Sequence, residues 1–348
     1  MYLRNAWYVG AWDHEVTRQN LMRRTLLGEP VVFYRTEKGE PVALADRCCH
    51  RHAPLSRGKL FGDLIECPYH GFRYDPAGDC VLIPGQSAIP PGARVKSYPA
   101  VERYHWIWVW MGDPALADPD KIEDFHWMDD PAWRWGGERL ELKGNYVLLV
   151  ENLLDLSHLS FVHPTTLGTE KIAQTPMRAE RLERGVRVTR WIMSSPPPPF
   201  FQKAGGFRPD QNVDRWQIID WTPPAFVRLD VGCAPSGSGA REGNRSQGIS
   251  MRNLNAITPE SENTTHYFWG HAHNFGIDKK WLTDLIVQNV RTAFQEDLAI
   301  ILAQQQNIET RPDAPRIDMN HDAGGIAARK MLEAMIAEEA GTARAAAE

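Results

Sequence analysis

Cys48 and His50 stand two residues apart, and after a gap of sixteen residues Cys67 and His70 stand three apart. Thiolate and neutral imidazole are both metal ligands. Four of them in two tight loops can hold a tetrahedral zinc, or a [2Fe–2S] cluster in which one iron takes two thiolates and the other two imidazoles. Ligand order separates the two. Zinc fingers typically pair Cys with Cys and His with His, whereas here each loop contributes one of each, which lets two prongs span two irons. His52 is the one nearby histidine that competes as a ligand, at a spacing that fits less well. Cys49, Cys80 and Cys233 lie off the pattern and read as structural thiols.

A second set lies at 151–164, where Asp155, His158 and His163 fall close together. Asp155 and His158, three apart, share one face if the segment is helical. His163 is five residues beyond His158, about 140° around an ideal helix. It converges only if the helix bends or ends first, and Pro164 biases His163 toward the extended conformation that would allow this. Two imidazoles and one carboxylate make the facial triad of non-heme Fe(II) oxygenases, with coordination positions left for dioxygen. Asp297 is the candidate carboxylate, because Val290, Phe294, Asp297 and Ile301 recur at spacings of four, three and four along an apolar helical stripe. A lone buried charge is costly and a bound metal removes the cost. A salt-bridged aspartate at the stripe's margin is the alternative for Asp297. Glu296 competes with it as ligand, and so does Asp155.

The elements that must position these residues divide the chain in two. The first ~115 residues carry short apolar or alternating runs, such as 31–34 and 42–44, broken by turn residues, which predicts an all-β half. Tyr104, Trp106, Trp108 and Trp110 alternate with smaller residues and are expected on one face of a core strand. Residues 112–131, with three Asp-Pro pairs, read as a linker. In the second half strands are expected at 138–150, 185–193, 214–221, 225–232, 249–257 and 265–273, and a short helix at 151–162. One long helix should run from an N-cap at Asp278 to about Ile308. Antiparallel strands wrapped on one long helix are an α+β arrangement, and the Ala-rich tail after Thr342 is expected to fray. The 348 residues suffice for two domains, placed at 1–115 and 116–348.

The net charge of -5, with both signs interspersed, gives no electrostatic case for nucleic acid. No run approaches the ~18 apolar residues of a membrane span, and the chain does not open on a signal peptide's apolar segment, so a cytoplasmic protein is expected. Five cysteines, an odd number, favour metal ligation or free thiols over a disulfide framework. No Gly-rich dinucleotide fingerprint follows a strand, and there is no second ferredoxin-type cysteine set. Electrons from NAD(P)H are therefore expected only indirectly, through a separate flavin and [2Fe–2S] reductase.

The segments 47–55 (RCCHRHAPL) and 67–72 (CPYHGF) resemble the Rieske motif of ring-hydroxylating and O-demethylating oxygenases. Ala53 and Tyr69 stand where respiratory Rieske proteins carry two further cysteines. The run from Asn152 through Asp155 and His158 to His163 resembles the iron motif of the same oxygenases, and Glu296-Asp297 the pair whose second member completes it. Further segments, 1–9 (MYLRNAWYV), 83–86 (IPGQ), 266–270 (HYFWG) and 322–325 (DAGG), are similar to the vanillate O-demethylase, dicamba O-demethylase and toluenesulfonate methyl-monooxygenase subgroup. The resemblance covers nearly the whole chain and implies an N-terminal all-β Rieske domain followed by a helix-grip catalytic domain. It implies a [2Fe–2S] cluster on Cys48, His50, Cys67 and His70, and a mononuclear Fe(II) on His158, His163 and Asp297. By the same resemblance Asp155 bridges His70 of one subunit to His158 of the next in a ring-like homotrimer, and Asn152 stands beside the iron. Asn255 and Gln288 fall near positions that face the substrate in dicamba-type relatives. The implied reaction uses O2 to hydroxylate a methyl group on an aromatic acid. O-demethylation of a vanillate-like methoxybenzoate to a phenol and formaldehyde leads, and aryl methyl hydroxylation is the alternative; ring dihydroxylation and simple electron carriage stand far behind.

Overall fold

The computed structural model describes residues 1–163 and 170–347. Pro164, invoked above for the conformation of His163, lies outside the described residues. The chain forms two compact units. One comprises Met1–Ile122, Thr258–Ser261 and a C-terminal stretch from Glu339; the other comprises Glu123–Ile257 and Glu262–Glu338.

The first unit is built from short strands: β1 (Trp7–Trp12), β2 (Met22–Leu26), β3 (Glu29–Arg35), β4 (Pro41–Ala45), β5 (Lys59–Phe61), β6 (Leu64–Glu66), β7 (Arg73–Tyr74), β8 (Cys80–Leu82), β9 (Ser97–Tyr98), β10 (Ala100–Arg103) and β11 (Trp106–Trp110). They form sheets of order β1-β11-β10, β2-β3-β4-β9 and β5-β6-β7-β8. The expected aromatic strand is β11, but it begins at Trp106. Tyr104 and His105 take positive φ of 56° and 61° and make the turn from β10. All five residues of β11 are buried, because it is the middle strand of its sheet and both faces are covered. The tryptophans thus do not mark one dry face.

The second unit holds β12 (Arg134–Leu142), α1 (Tyr146–Leu154), α2 (Leu159–Val162), α3 (Glu170–Gln174), β13 (Arg178–Leu182), β14 (Gly185–Ser195), α4 (Pro199–Gly205), β15 (Val213–Thr222), β16 (Phe226–Pro235), β17 (Ile249–Pro259), β18 (Thr265–His273) and α5 (Lys280–Thr310). A last helix, α6 (Ala323–Ala347), begins here and ends in the first unit. The seven strands pair in the order β12-β18-β17-β16-β15-β14-β13. Helix α5 buries Leu282, Ile286, Ala293, Phe294, Asp297, Ile301 and Gln305, a single stripe at helical spacing. Where it meets β12 the backbone is bare: a Cβ on Gly136 would come within 2.6 Å of Val287 Cγ2. This is the α+β helix-grip architecture expected from the sequence.

Three expectations need correction. The strand placed at 138–150 stops at Leu142, because the Asn145 side chain accepts the Val147 N–H at 2.9 Å and caps α1. Helix α5 begins at Lys280 after Lys279, which makes no side-chain cap bond, and not at Asp278. The tail does not fray at Thr342 but stays helical to Ala347, as its alanine content favours.

Candidate metal centres and substrate cavity

The loops bearing Cys48 and Cys67 are conformational copies. In the first, Cys48 N–H donates to Ala53 O at 2.9 Å and His52 N–H to Cys48 O at 2.9 Å; in the second, Cys67 N–H donates to Phe72 O at 2.8 Å and Gly71 N–H to Cys67 O at 3.1 Å. The fifth residue of each loop is left-handed, His52 at φ 58° and Gly71 at φ 72°. The first loop is closed at its base by the buried Asp46 carboxylate, which accepts from Ser56 N at 2.6 Å and Ser56 Oγ at 2.7 Å. Cys48 and Cys67 are 2% and 1% exposed inside the core, whereas His50 and His70 lie at the surface with ring centroids 4.6 Å apart. His52, the competing histidine, is turned aside: Arg47 Nη2 donates to its Nδ1 at 3.1 Å.

This donor set suits a cluster with a thiolate-held inner iron and an imidazole-held outer one. Burial and the hydrogen bond with Cys48 push the Cys67 thiol above its ordinary pKa, so without a metal this thiol keeps its proton. The buried Tyr74 hydroxyl lies 3.0 Å from Cys48 Sγ and 3.2 Å from Cys49 Sγ. Burial and these thiols hold its acidity far below that of free tyrosine, so it remains a donor. Cys49, Cys80 and Cys233 are free thiols.

In the second unit the expected helix over 151–162 is broken, and the break gathers the candidate ligands. Helix α1 ends at Leu154. Asp155, extended at φ -110° and ψ 96°, then caps a 3₁₀ turn, Leu156–His158, by accepting from Ser157 N at 2.8 Å and Ser157 Oγ at 2.9 Å. Asp155 and His158 therefore do not share a helix face. Their contact runs through the backbone, His158 Nδ1 donating to the Asp155 carbonyl at 2.6 Å. After α2 the chain leaves the helix at His163, φ -118° and ψ 52°, which lets this ring converge on His158.

Asp297, 4% exposed on α5, receives both rings: its Oδ1 is 3.3 Å from His158 Nε2 and 3.2 Å from His163 Nε2. Asn152 Nδ2 donates to the same oxygen at 3.2 Å. Donors at right angles on bonds of ~2.1 Å would lie roughly 3 Å apart, so the trio fits one ion. Each ring is oriented from behind, His158 by the Asp155 carbonyl and His163 by Glu296, whose Oε2 lies 2.7 Å from Nδ1. Glu296 thus stands behind a ligand and not in the trio. Burial opposes charge on both members, yet the two histidines hold the Asp297 carboxyl below its ordinary pKa, and Asp297 and Glu296 hold His163 above its own.

The trio opens into a cavity of about 310 Å³ between α5 and the sheet, at the small end of the roughly 300–1,000 Å³ of small-molecule sites. Leu229, Val231, Met251, Ile286 and Phe294 make its walls apolar, and Arg215, Gln217, Asn253 and His271 interrupt them. Neither expected substrate residue reaches it. Asn255 is fully buried deeper in the sheet, donating to Val227 O at 2.8 Å and accepting from the Tyr267 hydroxyl at 2.7 Å. Gln288 is exposed and accepts from Arg291 Nη1 at 3.2 Å. The polar groups that do face the cavity were missed, although strand parity held a signal: Val213, Arg215, Gln217 and Ile219 fall on one side of β15.

The family described as the Rieske [2Fe-2S] domain matches residues 6–99, and the vanillate O-demethylase oxygenase C-terminal domain matches 142–338. The toluene-4-sulfonate monooxygenase system iron-sulfur subunit TsaM1 of Comamonas testosteroni is 45% identical over 99% of this chain and 100% of its own. A vanillate O-demethylase oxygenase subunit from a Pseudomonas species is 36% identical over 99% and 98%. Dicamba monooxygenase, solved with non-heme iron and dicamba, superposes with a TM-score of 0.84 at 32% identity, over 98% of this chain and 99% of that one. The chain belongs to the family of Rieske oxygenase components that carry the vanillate O-demethylase type of C-terminal domain.

Proposed function

We propose that this chain is the terminal oxygenase of a multicomponent monooxygenase that hydroxylates a methyl group on an aromatic acid. The leading reaction is O-demethylation of a methoxybenzoate of the vanillate kind. Oxidation of a methoxy carbon gives a hemiacetal that collapses to a phenol and formaldehyde. The observation that carries this reading is the buried two-histidine, one-carboxylate trio opening into an apolar cavity of single-ring size. The 45% identity to a toluene-4-sulfonate system favours a second reading, hydroxylation of an aryl methyl group, which needs the same residues.

In this proposal Cys48, His50, Cys67 and His70 hold the [2Fe–2S] cluster, and His158, His163 and Asp297 hold the mononuclear iron. Bound, the two centres supply one-electron transfer and the activation of dioxygen. The chain's own residues do the rest. The Asp155 carbonyl and the Glu296 carboxylate each accept a hydrogen bond from an Nδ1–H, which leaves the two Nε2 lone pairs to the metal they would hold with Asp297. Asn152 fixes the Asp297 oxygen between them, and the apolar walls exclude water from the reacting methyl group.

In this proposal the Rieske domain is 1–115 and the catalytic domain 116–348, with 116–122, Thr258–Ser261 and the stretch from Glu339 packing into the first compact unit. The partner is a separate NAD(P)H-dependent flavin and [2Fe–2S] reductase, and the working unit a homotrimer in which Asp155 couples His70 of a neighbouring subunit to His158. No helix among the described residues is long and apolar enough to cross a membrane; the proposed place of action is the cytoplasm. The test is product analysis with a surrogate reductase and a panel of methoxylated and methylated aromatic acids. Formaldehyde or hydroxymethyl product is expected from at least one, and uptake of dioxygen with neither product would overturn the proposal.

A further inference from the structure

Arg215 is 6% exposed, and its side chain lines the cavity. A buried guanidinium ordinarily has a carboxylate beside it, because an unpaired buried charge is costly. Here the neighbours across the sheet are Ile192 on β14 and Cys233 on β16, and the electrostatic neighbours are the Cys233 thiol and a second arginine, Arg190. Among the described residues no carboxylate pairs with Arg215. Its guanidinium carbon lies 5.3 Å from the ring centroid of Phe201. Burial pushes its pKa down to about 10, which still leaves it a cation at neutral pH.

The surroundings extend this into a donor site. Arg190 is buried too, but its Nη1 is used: it donates to Leu156 O at 3.1 Å and to Gln217 Oε1 at 3.3 Å. That second bond occupies the oxygen of Gln217 and leaves its amide N–H groups to the cavity, two residues along β15 from Arg215. Farther across the same sheet, Asn253 on β17 and His271 on β18 contribute no charge. Asn253 Nδ2 is 3.2 Å from His271 Nδ1, Asn253 Oδ1 and His271 Nε2 have no partner among the described residues, and burial holds the imidazole neutral, down to about 3. Asp297 supplies the negative charge of the cavity lining, beside the two histidines, and Lys203 is exposed.

We propose that Arg215, with the amide of Gln217 beside it, is the anchor for the anionic group of the aromatic substrate, so that the enzyme selects arenes bearing a carboxylate or sulfonate. This rests on reading the cavity as the substrate site of the proposed reaction. Both oxyanions suit the guanidinium fork, which donates two parallel hydrogen bonds. The neutral Asn253 and His271 are left for an uncharged polar substituent.

The test is calorimetric binding to the anaerobic holoenzyme. Four probes are used: 4-methoxybenzoate, toluene-4-sulfonate, and the uncharged 4-methoxybenzamide and toluene-4-sulfonamide. Wild type is expected to prefer an anion to its amide, and whether the carboxylate or the sulfonate binds more tightly identifies the natural oxyanion. Arg215→Gln should weaken that anion by about 10- to 150-fold and change the amide by less than about threefold. Arg215→Lys should recover part of the loss. Retained cluster absorbance and iron content show that each variant is folded. Unchanged anion affinity in Arg215→Gln, equal loss for anion and amide, or no anion preference in wild type would each overturn the proposal. The two readings fail separately. If wild type oxidises methyl groups but Arg215→Gln binds the anion normally, the anchor falls and the reaction stands. If anion binding depends on Arg215 but no methyl product forms, the anchor stands and the reaction falls.

Discussion

Glu296 and Asp297 are adjacent acids with different tasks, and removing each in turn tests the metal site. Asp297 Oδ1 lies within 3.3 Å of both Nε2 atoms, whereas Glu296 reaches only the Nδ1 of His163. In Glu296→Gln the amide oxygen keeps an acceptor at Nδ1 and only the charge is lost. Because the Glu296 side chain is 33% exposed, that charge is partly screened, and the expected cost is about 1 kcal/mol, or roughly fivefold in Fe(II) affinity. In Glu296→Ala the buried Nδ1–H loses its partner, worth about 1–3 kcal/mol, which matches the roughly 10- to 100-fold loss typical when a group behind a ligand is removed. In Asp297→Asn two histidines lose the charge they share in a buried site, about 3–5 kcal/mol or roughly 150-fold and more.

The acids also set the pH dependence of metal binding. In the metal-free protein they raise the pKa of His163, whose proton must leave before the metal binds. Wild-type affinity therefore falls as pH drops through that raised value. Glu296→Ala lowers the value, so its deficit should be full at alkaline pH and narrow in acid. The assay is anaerobic Fe(II) titration of iron-depleted protein against a competing chelator at several pH values, with cluster absorbance as the control for folding. The order Glu296→Gln, Glu296→Ala, Asp297→Asn from mildest to most severe is required. If Glu296→Ala loses more affinity than Asp297→Asn, the two acids have exchanged roles and the assignment is refuted.

Asp155→Asn keeps the backbone carbonyl that orients His158 and an oxygen for Ser157, so both metals should remain while electron delivery slows by at least about tenfold; single turnover of the pre-reduced enzyme measures it, and a wild-type rate with substrate present removes the coupling role. Asp220, 8% exposed, accepts from Arg187 Nε at 2.6 Å, Arg187 Nη2 at 2.8 Å and Arg228 Nη2 at 3.2 Å. Burial would raise its pKa, but the two arginines hold it below the ordinary carboxylate range. A depressed folded pKa stabilises the fold above the unfolded value near ~3.9 and ceases to do so as pH falls through the folded value. Asp220→Asn should therefore cost about 1–3 kcal/mol at pH 7 in urea unfolding followed by tryptophan fluorescence, and the gap to wild type should close toward pH 3. A constant gap across that range would mean that packing, and not charge, is what the substitution removes.

The two candidate metal sites were unequally legible, and the reason is chain distance. Cys48, His50, Cys67 and His70 lie in two short loops whose order of ligand types already suggests a two-iron cluster. His158, His163 and Asp297 required a broken helix and a residue 134 positions beyond His163. Periodicity placed Asp297 on the buried stripe of α5, but it could not foresee that Asp155 would end the preceding helix by capping Ser157. Gln288 could have been rejected from the sequence. It lies two residues from both Ile286 and Val290, about 200° around the helix from each, and so faces away from the wall they form. Asn255 has the parity of Asn253 but sits one repeat deeper, where Tyr267 takes its oxygen.

Arg215 shows a limit of a different kind. Its inward parity on β15 is readable, yet an inward arginine normally implies an inward acid, and only the order of the strands tells whether there is one. The acids of β15 itself, Asp214 and Asp220, have the opposite parity, and β14 and β16 bring Ile192 and Cys233 opposite Arg215. Asp220 pairs with Arg187 and Arg228 on that other face, whereas Arg190, buried like Arg215, donates instead to Leu156 O and Gln217 Oε1. In the proposed role, the charge of Arg215, buried without an acid in the wall of a cavity that opens from the candidate metal ligands, is completed by the bound substrate. Replacing Arg215 by Met should then raise the melting temperature of the substrate-free protein, because the cost of its burial disappears. A fall of several degrees, measured by calorimetry on protein of unchanged metal content, would instead mark Arg215 as part of the scaffold.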